Sequence, residues 1–236
     1  GTSGVVVASV DTPNTEHGGR LCTFCHSVEG KWSMMGAVLS AGGSLRWYRD
    51  TFFPQQDFNQ LLSPLPEIEA GSQGLIFLPY LTGERTPYPD PLARGAFIGM
   101  TVRHDVRHMT RSVVEGISFG LRDCFELMRE SGLKAFNQVR ITGGGSRSEI
   151  WRQILADVLG TEIVMVNSIE GAAYGAALLA ACGDGAFSSV EEACRTTIQV
   201  VERTQPGKDA AKYNELYTTY HQLYPILKET FSRLSG

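Results

Sequence analysis

Ile141-Thr142-Gly143-Gly144-Gly145-Ser146 joins a short strand, Gln138-Val139-Arg140-Ile141, to a helix. The helix is read from Ile150, Trp151, Ile154, Leu155, Val158 and Leu159, which recur at helical spacing, with Ser146 placed to cap it. Three consecutive glycines let the backbone turn tightly and leave no side chain between it and a ligand. A helix start offers free N–H groups and a partial positive charge, a surface on which a nucleotide can sit. The same glycines serve equally well as a plain strand-to-helix connection.

Outward from this turn the chain alternates strand and helix. Upstream, Val106, Met109, Val113, Ile117, Leu121, Cys124 and Met128 form one stripe of a helix over Asp105–Ser131, with Gly132 as its stop. Ala96–Met100 and Leu75–Leu78 read as strands, and Phe58–Leu62 as a short helix. Downstream come a strand over Glu162–Val166, a helix of small residues from Glu170 to Ala181, a short helix over Val190–Thr196 and a strand over Thr197–Val201. A long amphipathic helix over Lys208–Leu234 follows, its stripe containing Tyr213, Tyr217, Tyr220 and Tyr224, with a kink expected at Pro225. Trp32–Phe52 carries Met35, Val38, Leu39, Leu45 and Tyr48 in a helix-like pattern interrupted by Gly36, Gly42 and Gly43, which permit close approach of another element or a ligand. The alternation predicts an α/β domain with a mixed β-sheet flanked by helices.

Composition narrows the function. With 236 residues, 42% of them hydrophobic, the chain has enough for a sizeable core. A net charge of −4 argues against an electrostatic nucleic-acid binder. No apolar run is long enough to span a bilayer. Five scattered cysteines suggest reduced thiols in the cytoplasm. The chain opens on Gly1, without Met and inside what reads as a turn, so a segment upstream of it is expected.

At that start, Gly1-Thr2-Ser3-Gly4 precedes a β-branched strand, Val5–Val10, and such a turn can hold a phosphate with backbone N–H groups and two hydroxyls. It needs a strand on its other side to be held rigidly, and none precedes it here. Cys22-Thr23-Phe24-Cys25-His26 matches a haem-attachment pattern, but strand alternation puts Cys22 and Cys25 on opposite faces, and two buried thiols in a core strand are expected instead. His104 and His108 lie four apart among Arg103, Arg107 and Arg111, which favours a solvated helix start over a metal site. Pro79–Gly95 is a proline-stiffened loop, long enough to suggest a function. In it Arg85 and Arg94 are candidates to meet phosphate, or to be neutralised by Glu84 and Asp90.

Several motifs, in order, resemble the FGGY family of carbohydrate kinases. They are Gly95-Ala96-Phe97-Ile98-Gly99-Met100, His108-Met109 and Ser112-Val113-Val114-Glu115. Leu78-Pro79-Tyr80-Leu81-Thr82-Gly83-Glu84-Arg85-Thr86-Pro87 is similar to a loop of the xylulokinase branch, as are Phe24-Cys25-His26, Leu39-Ser40-Ala41 and Gly143-Gly144-Gly145 with Trp151-Arg152-Gln153. The resemblance implies an actin-like, ribonuclease H-like ATPase domain, with residues 1–236 as the C-terminal nucleotide-binding domain of a two-domain sugar kinase. It implies ATP and Mg2+, with Gly1, Thr2, Ser3 and Gly4 facing the terminal phosphates. Gly143, Gly144, Gly145 and Ser146 would contact the adenosine and α-phosphate region. Ser148 stands where relatives often place an asparagine near the adenine, and Glu170–Ala177 would line the same pocket.

The catalytic aspartate, the sugar-binding residues and the magnesium carboxylates are implied upstream of Gly1, so no catalytic or metal residue is assigned within this chain. The expected reaction of the parent is phosphorylation of D-xylulose. Alternatives are a kinase for ribulose, gluconate or glycerol, or a non-catalytic actin-like ATP-binding module. A homodimer through the Tyr213–Leu234 helix is a further possibility, with packing inside the domain favoured.

Overall fold

The computed structural model describes residues 1–14, 18–133 and 138–235. Its centre is one helix, α3 (Val106–Glu130), buried along most of its length. Asp105 caps it, the carboxylate accepting from the Arg107 and His108 amides. Against α3 lie an antiparallel sheet of β1 (Gly4–Val10), β2 (Cys22–Cys25) and β3 (Trp32–Val38), in the order β1-β3-β2. A two-stranded ribbon of β4 (Ile76–Leu78) and β5 (Ala96–Ile98) packs on it too, with Ile76 opposite Ile98.

Helices α1 (Gly42–Phe52), α2 (Phe58–Leu62), α4 (Glu149–Leu159) and α7 (Ala210–Leu234) complete its surroundings. The third sheet, of β6 (Val139–Arg140), β7 (Ile163–Val166) and β8 (Val200–Thr204), is the mixed one: β6 and β7 run parallel, β7 and β8 antiparallel. Helices α5 (Gly171–Gly183) and α6 (Val190–Thr197) connect β7 to β8. Among the described residues no helix is long and apolar enough to cross a membrane.

Trp32–Phe52 is two elements, not one interrupted helix. Its first half is β3, the central strand, paired on one edge with β1 (Gly4 opposite Val38) and on the other with β2 (Cys22 opposite Met35). The residues of β3 are apolar or small on both faces, Met34, Gly36 and Val38 toward α3 and Met35 and Ala37 away from it, so no alternation of apolar and polar residues marks the strand. Gly36 lets β3 close on α3, for a Cβ there would lie 2.9 Å from the Cys124 sulfur.

The cysteine expectation is also corrected. Cys22 is half-buried and Cys25 exposed, because β2 is the outer strand of its sheet. His108 is 6% exposed rather than solvated, its Nδ1 lying 2.9 Å from Asp105 Oδ1 at the cap.

The tyrosine stripe of α7 is spent inside the chain. Tyr213, Tyr220 and Tyr224 are buried, and the helix runs through Pro225 to Leu234. Tyr88 of the Pro79–Gly95 loop stacks on Tyr224 at 3.8 Å, and Tyr224 donates to Asp90 at 2.7 Å. Glu84 and Asp90 exchange backbone hydrogen bonds of 2.9 and 3.0 Å, which close the loop on itself.

Burying α3 on all sides forces its charges to be paired. The Arg111 guanidinium donates to Glu115 Oε1, to the Leu65 and Ile68 carbonyls and to the Tyr213 hydroxyl, each at 2.8 Å. Glu115 in turn accepts from the Tyr213 hydroxyl, the Ser72 hydroxyl and the Gly71 amide. Removing one partner leaves the other as an uncompensated buried charge. Glu115→Ala is therefore expected to lower stability by about 3–5 kcal/mol in urea unfolding, while Arg233→Ala, at the exposed pair with Glu229, changes it by well under half of that.

Candidate nucleotide-facing site

The Gly1–Gly4 turn is exposed, yet it is held at three points by residues some forty positions away. The Thr2 carbonyl accepts from the Gly43 amide at 2.9 Å, the Ser3 hydroxyl donates to the Leu39 carbonyl at 3.1 Å, and Arg46 donates to the Gly1 carbonyl at 2.8 Å. The first turn of α1 thus does the holding that was expected to need an upstream strand. Gly43 permits it: a Cβ there would stand 2.9 Å from the Thr2 methyl. The N-terminus of α1 has no side-chain cap, so its positive end lies beside the turn. Sequence reasoning read Gly42 and Gly43 as permitting close approach of another element or a ligand but did not connect them, or Arg46, with the Gly1–Gly4 stretch.

The second turn departs from expectation in one respect. A short 3-10 turn, Gly144–Arg147, intervenes between β6 and α4, so the helix starts later and its cap is Ser148, not Ser146. Ser146 is buried, and its hydroxyl donates to the Gly143 carbonyl at 2.7 Å. The three glycines have three different reasons. Gly143 has φ of +92°, a conformation that favours glycine. A Cβ on Gly145 would press on the Trp151 ring at 3.1 Å. Gly144 has no such reason inside the chain, since a Cβ there meets nothing within 4 Å and its φ is ordinary. Its bare backbone faces open space.

The strand that leaves the first turn and the strand that enters the second line one groove. Val5 and Val7 of β1, Val139 and Arg140 of β6 and Ile141 just after it border a cavity of about 310 Å³, floored by Leu121 and Leu155. Among the described residues β1 and β6 are not paired with each other. A second hollow of about 530 Å³, lined by Asn59, Ser63, Arg147, Ser148 and Gln153, opens beside the start of α4. The start of α5 lies against the glycine turn: Thr142 donates to the Ile169 carbonyl at 2.6 Å, and Gly171 approaches the Thr142 side chain. Its first residues, Gly171, Ala172 and Ala173, are exposed.

The loop arginines are not neutralised by the Glu84 and Asp90 carboxylates. Arg85 reaches the Cys22 sulfur at 2.8 Å, and Arg94 folds back onto the Pro91 and Ala93 carbonyls. Glu84, 3% exposed, turns inward, where Oε1 accepts from the Leu39 and Arg85 amides at 2.9 and 2.8 Å. Its Oε2 is buried with no hydrogen-bond partner among the described residues. Burial pushes this carboxyl up to about 7, against the pull of its backbone donors.

The surrounding architecture is that of an actin-like ATPase domain. The chain superposes on a ligand-bound xylulose kinase from Lactobacillus acidophilus with a TM-score of 0.92 at 30% identity, covering 99% of this chain and 47% of that one. Residues 1–183 match the C-terminal domain of the FGGY family of carbohydrate kinases, and the chain belongs to that family. It is 37% identical over 237 residues to a xylulose kinase of Bacillus subtilis (strain 168), and 32% identical over 247 residues to a gluconokinase of the same organism. Each alignment takes in the whole of this chain, which spans about half the length of these curated relatives, 47% and 48%.

The Glu84 carboxyl gives a pH signature. Unfolded, it loses its proton near the usual carboxylate range; folded, near 7. Between those values the folded chain binds more protons, so this group's contribution to stability falls as pH rises from 5 to 7, by up to about 3 kcal/mol. Urea unfolding at pH 5, 6 and 7 should show this slope in the wild type and a flatter one in Glu84→Gln, which is neutral throughout.

Proposed function

We propose that residues 1–236 are the C-terminal, ATP-binding domain of a two-domain kinase that phosphorylates a ketopentose, D-xylulose. The observation that carries this reading is a pair of turns whose adjoining strands, β1 and β6, line one groove. One is pinned by the start of α1, and the other presents Gly144 bare to solvent with no packing reason for a glycine there. On this reading Gly1, Thr2, Ser3 and Gly4 meet the terminal phosphates. Gly143, Gly144 and Gly145 bring backbone close to the adenosine and α-phosphate end. Ser146 and Ser148 support that turn through the Gly143 carbonyl and the α4 cap, and the exposed small residues at the start of α5 border the same end of the molecule.

Phosphoryl transfer depends on positioning and on neutralising charge around the γ-phosphate. This chain contributes positioning, through backbone N–H groups and the positive end of α1. Mg2+ would supply charge neutralisation. The two turns carry no carboxylate, which suits them poorly as its protein ligands. The magnesium carboxylates, the general-base aspartate and the sugar-binding groups are assigned to the rest of the polypeptide. The two unpaired strand edges along the groove accord with a domain that works against further chain. The likeness to xylulose kinases in sequence and structure supports xylulose as the sugar. The 32% identity to a gluconokinase supports gluconate as the second reading. Cytoplasmic location accords with five cysteines that form no disulfide.

Titration calorimetry with Mg-ATP tests the nucleotide site. Gly144→Val leaves the fold intact, since its side chain enters open space, and it should weaken binding at least about tenfold, the worth of one lost charge-assisted hydrogen bond. A folded wild-type chain that binds no Mg-ATP overturns this half as a self-sufficient site. The longer polypeptide, assayed on D-xylulose, ribulose, gluconate and glycerol, should prefer D-xylulose in kcat/KM.

A further inference from the structure

Glu84 belongs to a loop that the nucleotide reading does not use. Its contacts nevertheless lead to the phosphate-facing turn. Residues 84–86 run along the end of β3 and bond to it through side chains. The Thr86 amide donates to the Ala37 carbonyl at 3.2 Å, and the Ala37 amide donates to the Thr86 hydroxyl oxygen at 3.2 Å. Two residues further on, the Leu39 amide donates to Glu84 Oε1 at 2.9 Å. Leu39 directly follows Val38, the residue of β3 that pairs with Gly4. Its other backbone group, the carbonyl, accepts the Ser3 hydroxyl at 3.1 Å. A single residue therefore separates the buried carboxyl from the turn.

The segment leaving Leu39 continues through Ser40 and Ala41 to Gly43, whose amide holds the Thr2 carbonyl. Leu39–Gly43 thus touches the turn at both ends, and Glu84 fixes where it begins. The carboxyl also accepts from the Arg85 amide of its own loop at 2.8 Å, but the Glu84–Asp90 backbone pair and the Tyr88–Tyr224 stack close the loop as well. Placing an acid where one oxygen is buried without a partner costs stability, and the long-range contact it makes in return is to the support of the turn.

We propose that Glu84 is a positioning residue for the phosphate-facing turn: by holding the Leu39 amide it sets the Leu39–Gly43 segment, and through it Thr2 and Ser3. This rests on the reading of Gly1–Ser3 as a nucleotide contact. It assigns the loop Gly83-Glu84-Arg85-Thr86-Pro87 a task on the ATP side of the domain.

Two readouts on residues 1–236 test it, Mg-ATP affinity by calorimetry and amide hydrogen exchange at Leu39 and Gly43 in the ligand-free chain. Glu84→Ala should speed exchange at both amides and weaken Mg-ATP binding about tenfold, the size expected for loss of one buried hydrogen bond to a charged or polar group. Glu84→Gln, which keeps the accepting oxygen, should recover most of both. Ser3→Ala should weaken binding too, and the double variant Ser3→Ala with Glu84→Ala should lose little more than Glu84→Ala alone, because the two act in one line. A carboxyl that merely holds its own loop would speed Leu39 exchange and leave Gly43 exchange and the affinity at wild-type values, and that result overturns the proposal. Additive losses in the double variant overturn it as well. If Glu84→Ala does not fold, Glu84→Asp, too short to reach Leu39, is expected to show the same loss, and wild-type affinity in that variant is equally fatal. A wild-type chain that binds no Mg-ATP counts against the nucleotide reading instead, and the exchange at Gly43 still decides the link.

Discussion

Helix α3 is surrounded, and that constraint organises the rest. A helix buried on nearly every face must be approached closely by its neighbours, and it must neutralise any charge it carries. Close approach is met by small residues at the contacts: Gly116 lies so near the Phe77 carbonyl that an added Cβ would stand 2.1 Å from its oxygen, and Gly120 faces Val38. Charge is met by the Arg111–Glu115 pair, which ties together the Leu65 and Ile68 carbonyls, Ser72 and Tyr213 of α7. A buried ion pair of this kind adds little net stability over an apolar pair of the same shape. Its consequence here is geometric, since it fixes where α7 and the Leu65–Ser72 segment sit against α3.

With α3 in place, the functional edge of the domain follows from strand ends. β3 lies on α3 and pairs with β1, and the chain leaving β3 turns at once into α1. Hence the start of α1 and the start of β1 are neighbours, and the Gly1–Ser3 turn rests on Leu39, Gly43 and Arg46. The glycine turn after β6 reaches the same region because β6 lies across the groove from β1, above the shared floor of Leu121 and Leu155. The strands adjoining two turns distant in the chain line one hollow through the packing of α3 and α4.

Much of this was legible in the residues. Long stripes at helical spacing placed α3, α4 and α7, and Phe58–Leu62 emerged with its Asp57 cap and Gln60 in a capping box. The Gly143–Ser146 stretch was read correctly as a turn between β6 and α4. Less legible were features decided by partners. Ser146 and Ser148 are both plausible caps, and only the intervening 3-10 turn selects Ser148. Arg85 and Glu84 form an obvious pair on paper, yet burial takes the carboxyl inward to Leu39 while the guanidinium goes to Cys22. Cys25 belongs to a strand whose outer edge has no neighbour among the described residues, so its exposure follows from sheet order rather than from its own sequence.

The sequence by itself determined what is local: helical periods, caps, glycines able to turn, and an apolar content sufficient for a core. These depend on contacts within a few residues, where chain entropy hardly intervenes. Tertiary structure alone decided which distant segments meet. Gly43 supports Thr2, Glu84 supports Leu39 and Tyr213 completes Arg111, across separations of about forty to a hundred residues. Each such contact forms only when the burial of α3 has already closed the loops between them, and no period or motif in the chain encodes it.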